Sequence, residues 1–202
     1  MERKNMKIAV IGAGKIGQAV GRPLVRAGHE VAYGIRNPEH KPDVEGAAVT
    51  DIAAALKDAD AVLLAVLGLA VPEVTEAHAA ALEGKVVIDA SNRFDGGPFN
   101  NFAAVNAAGG RYVRAFNILG HEVIAEPEVD GVIADQYFSA EDEQARAVGA
   151  QLIRDVGLRP VYVGGNDTLD ILDAIVKLVI ALAFKQDWGR VIAFRTLGGS
   201  NS

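Results

Sequence analysis

The chain has 202 residues, of which 20 are Lys or Arg and 26 are Asp or Glu, so its formal net charge is −6. Half of the residues are hydrophobic and none is cysteine, which excludes disulfides, thiolate metal sites and a cysteine nucleophile. The acidic balance and the scattered basic residues argue against nucleic acid as a partner. Because no signal-peptide pattern and no bilayer-spanning stretch is present, we expect a cytoplasmic protein without membrane contact.

Short apolar segments alternate with longer amphipathic ones through the first 120 residues. The short segments are nearly continuous apolar runs, which is typical of strands buried on both faces. Strands are predicted at residues 7–11, 30–34, 47–49, 61–66, 85–89 and 111–116, and helices at 16–27, 51–57, 71–82 and 102–108. This alternation predicts a Rossmann-type, doubly wound α/β fold with a mostly parallel sheet.

The residues after 120 follow a different pattern. Further strands are predicted at 131–138 and 160–163, and a helix at 139–156 with Ser139 as its N-cap and Gly157 as its left-handed stop. Residues 167–189 predict one long helix that is apolar around much of its circumference. We therefore expect residues 121–202 to form a smaller C-terminal part with a helical extension, and the apolar helix favours a homodimer.

A glycine motif follows the first predicted strand. Gly12, Ala13, Gly14, Lys15, Ile16 and Gly17 match G-x-G-x-x-G, with a strand just before the motif and a helix just after it. Gly12 would permit the tight turn, Gly14 the close approach of a pyrophosphate, and Gly17 the packing of helix on strand. The motif predicts a dinucleotide-binding core within residues 1–120.

The end of the second strand indicates which dinucleotide is bound. An NAD site usually carries Asp or Glu there to hold the ribose 2′-hydroxyl, but this chain has Ile35, Arg36 and Asn37 after Gly34. Arg36 is suited to a 2′-phosphate, Asn37 could add a hydrogen bond, and Lys41 is a weaker candidate. The pattern favours NADP(H), and the alternative is that Arg36 is a solvated surface arginine.

Two further strand ends supply candidate residues, because ligands of open parallel sheets bind beyond the carboxyl ends of the strands. The candidates are Ala65, Val66 and Leu67 after one strand, and Ser91 and Asn92 after another. The first group could line the path to the nicotinamide with backbone, and the second could bind a ribose or the nicotinamide amide. For Asp89 a structural and a functional role are equally open.

The chain shows no evident acid–base pair. The four histidines have no metal-ligand spacing, and G-x-S-x-G, S-x-x-K and Tyr-x-x-x-Lys motifs are absent, so we assign no metal site and no catalytic residue. Reduction of a ketone needs a proton donor, whereas hydride transfer between two redox cofactors needs mainly their alignment. The sequence therefore favours transfer from one cofactor to another small-molecule redox acceptor.

At this point the sequence resembles the NADPH-dependent reductases of the deazaflavin coenzyme F420 and their bacterial relatives. The similar segments are IAVIGAGKIGQAVGRPLVRAGHEVAYGIRN, VVIDASN, VRAFNILG and LIRDVGLRPVYVGG, followed by the long apolar helix. The resemblance implies that the deazaflavin stacks on the nicotinamide beneath residues 115–120 and the C-terminal helix, so that hydride passes directly between the two rings. It also places Asn117 in the segment that approaches the acceptor.

Two positions depart from the family pattern. Archaeal members carry Ser-Arg-Arg where this chain has Ile35, Arg36 and Asn37, and a histidine where Asn117 stands. Bacterial relatives with the asparagine need not use deazaflavins. The alternatives are therefore an NADPH-dependent reductase of a flavin or of a small imine or carbonyl compound, and a non-catalytic module that senses NADP(H).

Overall fold

The computed structural model describes residues 4–37, 39, 42 and 44–198. Its main feature is one eight-stranded sheet with the strand order β10-β9-β6-β5-β4-β1-β2-β3. The strands of this sheet are β1 (Lys7–Ile11), β2 (Glu30–Gly34), β3 (Ala48–Thr50), β4 (Ala61–Leu64), β5 (Val86–Asp89), β6 (Arg111–Arg114), β9 (Asp135–Ala140) and β10 (Arg159–Gly164). The predicted Rossmann-type α/β fold is confirmed.

Helices cover both faces of the sheet. They are α1 (Lys15–Arg26), α2 (Ile52–Lys57), α3 (Val71–Ala77), α4 (Ala79–Leu82), α5 (Phe102–Ala107), α6 (His121–Ala125), α7 (Glu143–Val156) and α8 (Leu169–Ile180). Leu24 of α1 and Ile153 of α7 belong to one buried core cluster, and Leu56 of α2 and Val105 of α5 belong to the other. Strands β1, β4 and β5 contribute apolar side chains to both clusters, as their continuous apolar sequences predict.

Every neighbouring pair in the sheet is parallel except β6 and β9, where Arg114 lies opposite Ser139. Strands β9 and β10 come from the predicted C-terminal part and extend the sheet of the first 120 residues. A separate hairpin of β7 (Glu128–Val129) and β8 (Val132–Ile133) precedes β9, so the single strand predicted at 131–138 is wrong. The domain boundary at residue 120 stays a prediction.

The helix predicted at 71–82 is divided into α3 and α4, and the helix predicted at 139–156 begins later in the structure. Ser139 lies inside β9, paired across the sheet, and α7 begins later with Asp142 as its N-cap, whose side chain accepts from the Ala145 N–H at 2.8 Å. Strand pairing thus outweighed the local capping preference of Ser139. The predicted stop at Gly157 is confirmed, since its φ is +102°.

The C-terminal helix is shorter than predicted. A 3₁₀ turn precedes α8, a π-helical turn follows it at Ala181–Lys185, and residues 186–198 have no regular secondary structure. The segment folds back on the sheet, where the N–H of Asp135 donates to the carbonyl of Phe194 at 2.8 Å. Within the described ranges no helix combines the length and apolar character that a bilayer span requires.

Candidate functional site

The glycine loop joins β1 to α1 through close backbone contacts. Gly12 has a φ of +104°, its N–H donates to the Gly34 carbonyl at 3.0 Å, and a Cβ at this position would lie 2.6 Å from the Ala65 carbonyl oxygen. A Cβ at Gly17 would collide with the Gly12 carbonyl oxygen. Side chains are therefore excluded at both positions by the turn and by the packing of α1 on β1.

Gly14 differs from the other two glycines of the motif. An added Cβ would meet no atom within 4 Å, and the backbone (φ −73°, ψ −171°) is extended. Gly14 is the N-cap of α1 and has no side chain to satisfy the first N–H groups of the helix. Open space beside free donors at a helix N-terminus fits the pyrophosphate of a dinucleotide.

A cleft of about 440 Å³ adjoins the loop at the carboxyl ends of β1, β2 and β4. The predicted site residues that line it are Gly12, Gly14, Ile35, Arg36, Ala65, Val66 and Leu67. Its outer wall comes from α2 and from α3 with the turn before it, through Ile52, Ala70, Glu73, Val74, Ala77 and His78. The structure thus brings the glycine loop, the end of β2 and the end of β4 into one cavity.

Arg36 lies at the end of the cleft beside β2. Its side chain is exposed and forms no ion pair with a described residue, so the guanidinium is available to a phosphate. Asn37 is also exposed, but its Oδ1 accepts from the Glu39 N–H at 3.1 Å. Lys41 lies outside the described residues. No carboxylate follows Gly34 directly, which is consistent with a site for NADP(H).

The remaining residues of the glycine motif support the loop. The carbonyl of Ala13 accepts from Gln18 Nε2 at 2.8 Å, and Ile16 packs against the core cluster that contains Leu24. Lys15 is exposed and lines a separate groove of about 330 Å³ between α1 and α6, together with Arg22, Arg26 and His121. These predicted cofactor contacts therefore do not line the main cleft.

Asp89 anchors a buried hydrogen-bond network at the end of β5. Its Oδ1 accepts from the N–H and the hydroxyl of Ser91 at 3.0 and 2.5 Å. Its Oδ2 accepts from the Asn101 N–H at 2.9 Å, from Tyr112 at 2.8 Å and from Arg114 Nη1 at 3.0 Å. Five donors to one carboxylate indicate a structural role for Asp89, and they engage the Ser91 hydroxyl as well.

Arg114 is a member of this network that the sequence reasoning missed. Its side chain is 0% exposed, and it pairs with Asp89 at 3.0 Å and with Asp173 of α8 at 3.6 Å. It also donates to the carbonyl of Ser91 and, from Nη2, to Asn92 Oδ1 at 2.6 Å. The sequence did contain a signal, because Arg114 is a charged residue in a run that predicts a buried strand. Its place beside Asp89 follows from the register of β5 and β6.

Asn117 lies in the segment that follows β6. The preceding residue, Phe116, is buried with a φ of +59°, a left-handed conformation that is uncommon for a bulky residue and frequent at functional sites. Both amide atoms of Asn117 are buried and lack a hydrogen-bond partner in the described part of the chain. Its backbone carbonyl accepts from Asn92 Nδ2 at 2.8 Å, which joins the segment to the end of β5.

The cleft wall carries two acid–base side chains, Glu73 and His78, and no hydrogen bond or ion pair between described residues joins them. Burial, followed by the charge of Asp89, raises the pKa of Tyr112 well above its ordinary value, so this hydroxyl remains a hydrogen-bond donor inside the protein. Among the described residues, no three His, Asp or Glu side chains are grouped as metal ligands would be. The arrangement can hold and align ligands, and it offers no paired proton donor and acceptor in the cleft.

Comparison with known proteins gives a family for the N-terminal part of the chain. Residues 7–93 match the family described as NADP oxidoreductase, coenzyme F420-dependent. This range includes the glycine loop, Arg36 and the ends of β4 and β5.

Solved structures share the fold over most of the chain. A protein from Arthrobacter sp. FB24, provisionally named an F420-dependent NADP reductase, has a TM-score of 0.83 at 22% identity, over 96% of this chain and 100% of that one. Hypothetical protein SMa0349 from Sinorhizobium meliloti has a TM-score of 0.67 at 26% identity, over 79% and 85%. An imine reductase from Bacillus cereus has a TM-score of 0.71 at 18% identity, over 90% of this chain and 62% of the longer relative.

The family match covers the residues that form the cleft, and the shared fold extends beyond them. At these identities the solved structures support the fold, whereas the family match supports the chemistry. On the match over residues 7–93, this part of the chain resembles the family of coenzyme F420-dependent NADP oxidoreductases, and the protein is an NADP-dependent oxidoreductase.

Proposed function

We propose that the protein transfers hydride between NADPH and a deazaflavin of the coenzyme F420 type. The observation that carries the proposal is that Asn92 joins the acceptor segment, residues 115–120, to the end of β5. The backbone of Asn92 lies against Gly68, directly after the cleft residue Leu67, because a Cβ at Gly68 would collide with the Asn92 carbonyl. Two ligands bound at these two places would be neighbours.

The residues of the cleft would bind and orient the cofactor. NADPH supplies the hydride when bound. Gly14 and the first turn of α1 would hold its pyrophosphate, Arg36 its 2′-phosphate, and the backbone at Ala65 and Val66 the path toward the nicotinamide. Because aligned rings exchange hydride without a protein acid or base, the lack of a hydrogen-bonded acid–base pair among the described residues of the cleft supports a redox cofactor as the acceptor.

The surface beside the cleft fits a planar apolar acceptor. Leu67 is 83% exposed, Leu69 63% and Phe94 64%, and all three follow strand ends that face the site. Large exposed apolar side chains around a concave site are typical of ligand-binding surfaces. A deazaflavin or flavin ring could cover them.

A small imine is the second candidate acceptor. The fold is shared with a Bacillus cereus protein that is named an imine reductase. The unpartnered amide of Asn117 could hydrogen-bond to a polar substrate. This chain spans less than two thirds of that relative, so the imine reading depends on a site built without the relative's additional residues.

We also propose that a second copy of the chain covers the C-terminal region. Large apolar side chains on and after α8 remain exposed, namely Ile171, Leu178, Phe184, Trp188 and Val191. A monomer by light scattering at micromolar concentration would contradict the homodimer.

Turnover tests the proposed activity. Purified protein is mixed with NADPH and, in separate reactions, with the deazaflavin, FMN and a panel of cyclic imines, and the nicotinamide absorbance is followed. We expect oxidation of NADPH with the deazaflavin and little with NADH as the donor. Measurable NADPH binding without oxidation by any acceptor would contradict an enzymatic role and favour an NADP(H) sensor.

A further inference from the structure

We propose that Arg114 is a positioning residue, which acts through Asn92 to keep the cofactor cleft and the acceptor segment in fixed register. The inference rests on the proposed hydride transfer. Arg114 is fully buried, so it acts on the ligands only through its neighbours.

The guanidinium sets the orientation of the Asn92 amide. Arginine carries only hydrogen-bond donors, so the Asn92 oxygen must face Arg114, and the 2.6 Å contact between Nη2 and Oδ1 agrees. The Asn92 NH₂ group is then directed to the Asn117 carbonyl, which accepts at 2.8 Å. One buried charge thereby decides which group Asn92 presents to the acceptor segment.

Asn92 also contacts the cofactor side of the site. The peptide that joins Asn92 to Arg93 lies so close to Gly68 that no side chain fits between them. Gly68 directly follows Leu67, which lines the cleft. Asn92 therefore lies between the cofactor cleft and the acceptor segment. A shift of its side chain would move the acceptor segment relative to the cleft.

The acceptor segment requires such a restraint. Phe116 holds a left-handed backbone, which is strained for a bulky residue and persists only where the surroundings enforce it. The hydrogen bond from Asn92 to the Asn117 carbonyl acts on the next residue. Arg114 also connects to α8 through Asp173, whose Oδ2 accepts from the Phe99 N–H at 2.9 Å. The same guanidinium thus links the C-terminal helix to the site.

Arg114→Lys and Asn92→Asp test the inference. Lysine keeps the charge beside Asp89 but loses the planar fork that reaches Asn92, and aspartate keeps the acceptor for Arg114 but loses the donor to the Asn117 carbonyl. Since small misplacement of reacting groups costs up to about 100-fold in rate, we expect each variant to lower kcat by roughly 10- to 100-fold. The KM for NADPH should change little.

Tyr112→Phe is the matched control. It removes a buried hydrogen bond to Asp89 in the same network without touching Asn92, so it should lower thermal stability and leave kcat unchanged. Because one linkage is being broken, the double variant Arg114→Lys with Asn92→Asp should lose no more rate than either single variant. Additive losses, or a loss of kcat in Tyr112→Phe equal to that in Arg114→Lys, would overturn the inference.

A second measurement does not depend on turnover. The fluorescence of bound NADPH reports how the reduced nicotinamide is held, and we expect its emission to change in both Arg114→Lys and Asn92→Asp but not in Tyr112→Phe. If none of the tested acceptors supports oxidation of NADPH by the wild-type protein, the proposed function fails, but the emission of bound NADPH still tests the linkage. Unchanged emission in both variants, with NADPH bound, would overturn the inference even if turnover is found.

Discussion

The two sides of the proposed site, the cofactor cleft and the acceptor segment, differ in how they are built. The cofactor side consists mostly of backbone, with Gly12 and Gly17 in contacts that exclude a Cβ, open space at Gly14 and an exposed Arg36. On the acceptor side, the buried side chains of Asp89 and Arg114 are connected through hydrogen bonds. Substitutions at Gly14 and Arg36, the open positions of the first side, should change binding without loss of fold, whereas substitutions on the second side should change stability and alignment.

Gly14→Val is the largest expected effect on the cofactor side. The extended backbone of Gly14 accepts any L-residue and no protein atom lies within 4 Å of the added Cβ, so the variant should fold normally. Its side chain would occupy the space assigned to the pyrophosphate, and binding of both NADPH and NADH should become undetectable by calorimetry. Gly17→Val is the contrasting variant, since it must displace the Gly12 carbonyl and should lower the melting temperature. Retained binding in Gly14→Val would show that the loop is not the site.

Asp89→Asn should have the largest effect on the acceptor side. It leaves the buried charge of Arg114 without its nearest carboxylate, a change that typically costs about 3–5 kcal/mol of unfolding free energy. Asp95→Asn is the matched control, because Asp95 pairs with Arg93 where both side chains are about one third exposed, and solvent-screened pairs of this kind contribute little to stability. Urea unfolding measures both. Equal losses would contradict the assignment of Asp89 and Arg114 as a structural pair.

Arg36→Ala should weaken NADPH binding by about 1.5–3 kcal/mol, the range for hydrogen bonds to charged groups, and leave NADH binding nearly unchanged. The unfolding free energy should also stay the same, since Arg36 is exposed and has no ion pair with a described residue. Titration with the two cofactors supplies the control within one variant. An equal loss for both would mean that Arg36 does not face the 2′-phosphate.

The comparison also explains what the sequence could predict. The proposed cofactor side carries short local motifs, so the spacing of Gly12, Gly14 and Gly17 and the missing acid after Gly34 were enough to predict a site there. The acceptor side depends on Asp89, Arg114 and Asp173, which meet only after β5, β6 and α8 have packed together. The pairing of Asp89 with Arg114 follows from strand register, and register requires the order of the strands.

The errors in the secondary structure have the same origin. Ser139 has the composition of an N-cap, yet its place opposite Arg114 in the sheet is a long-range contact that no local pattern contains. The predicted helix over 167–189 was too long because α8 passes into a π-helical turn, after which the chain turns back to the sheet. The anchor of that return is Asp135, whose pairing with residues near the C-terminus is also invisible in a local window.

A substitution of Asp135 has the smallest expected effect on stability. It separates the contribution of a buried carboxylate from that of its arginine partner. Its carboxylate is fully buried, like that of Asp89, but Arg159 and Arg195 that face it are each 38% exposed. Burial acts to raise the pKa of Asp135, and the hydrogen bonds from Arg159 and from the Thr196 N–H outweigh it and hold the pKa below the ordinary value. A lowered pKa in the folded state means that the contribution to stability is present at neutral pH and is lost as the pH falls through that pKa.

We therefore expect Asp135→Asn to cost about 1 kcal/mol or less at pH 7, since the partner arginines are screened by solvent. The difference from wild type should shrink as the pH is lowered below about 4, where the unfolded carboxyl is protonated. Urea unfolding from pH 7 to pH 3 measures it. A cost as large as that of Asp89→Asn would mean that burial of the carboxylate alone sets the energy. A small cost would show that exposure of the arginine explains why Asp135 contributes less than Asp89. Arg114 is buried together with Asp89, whereas Arg159 and Arg195 are partly exposed.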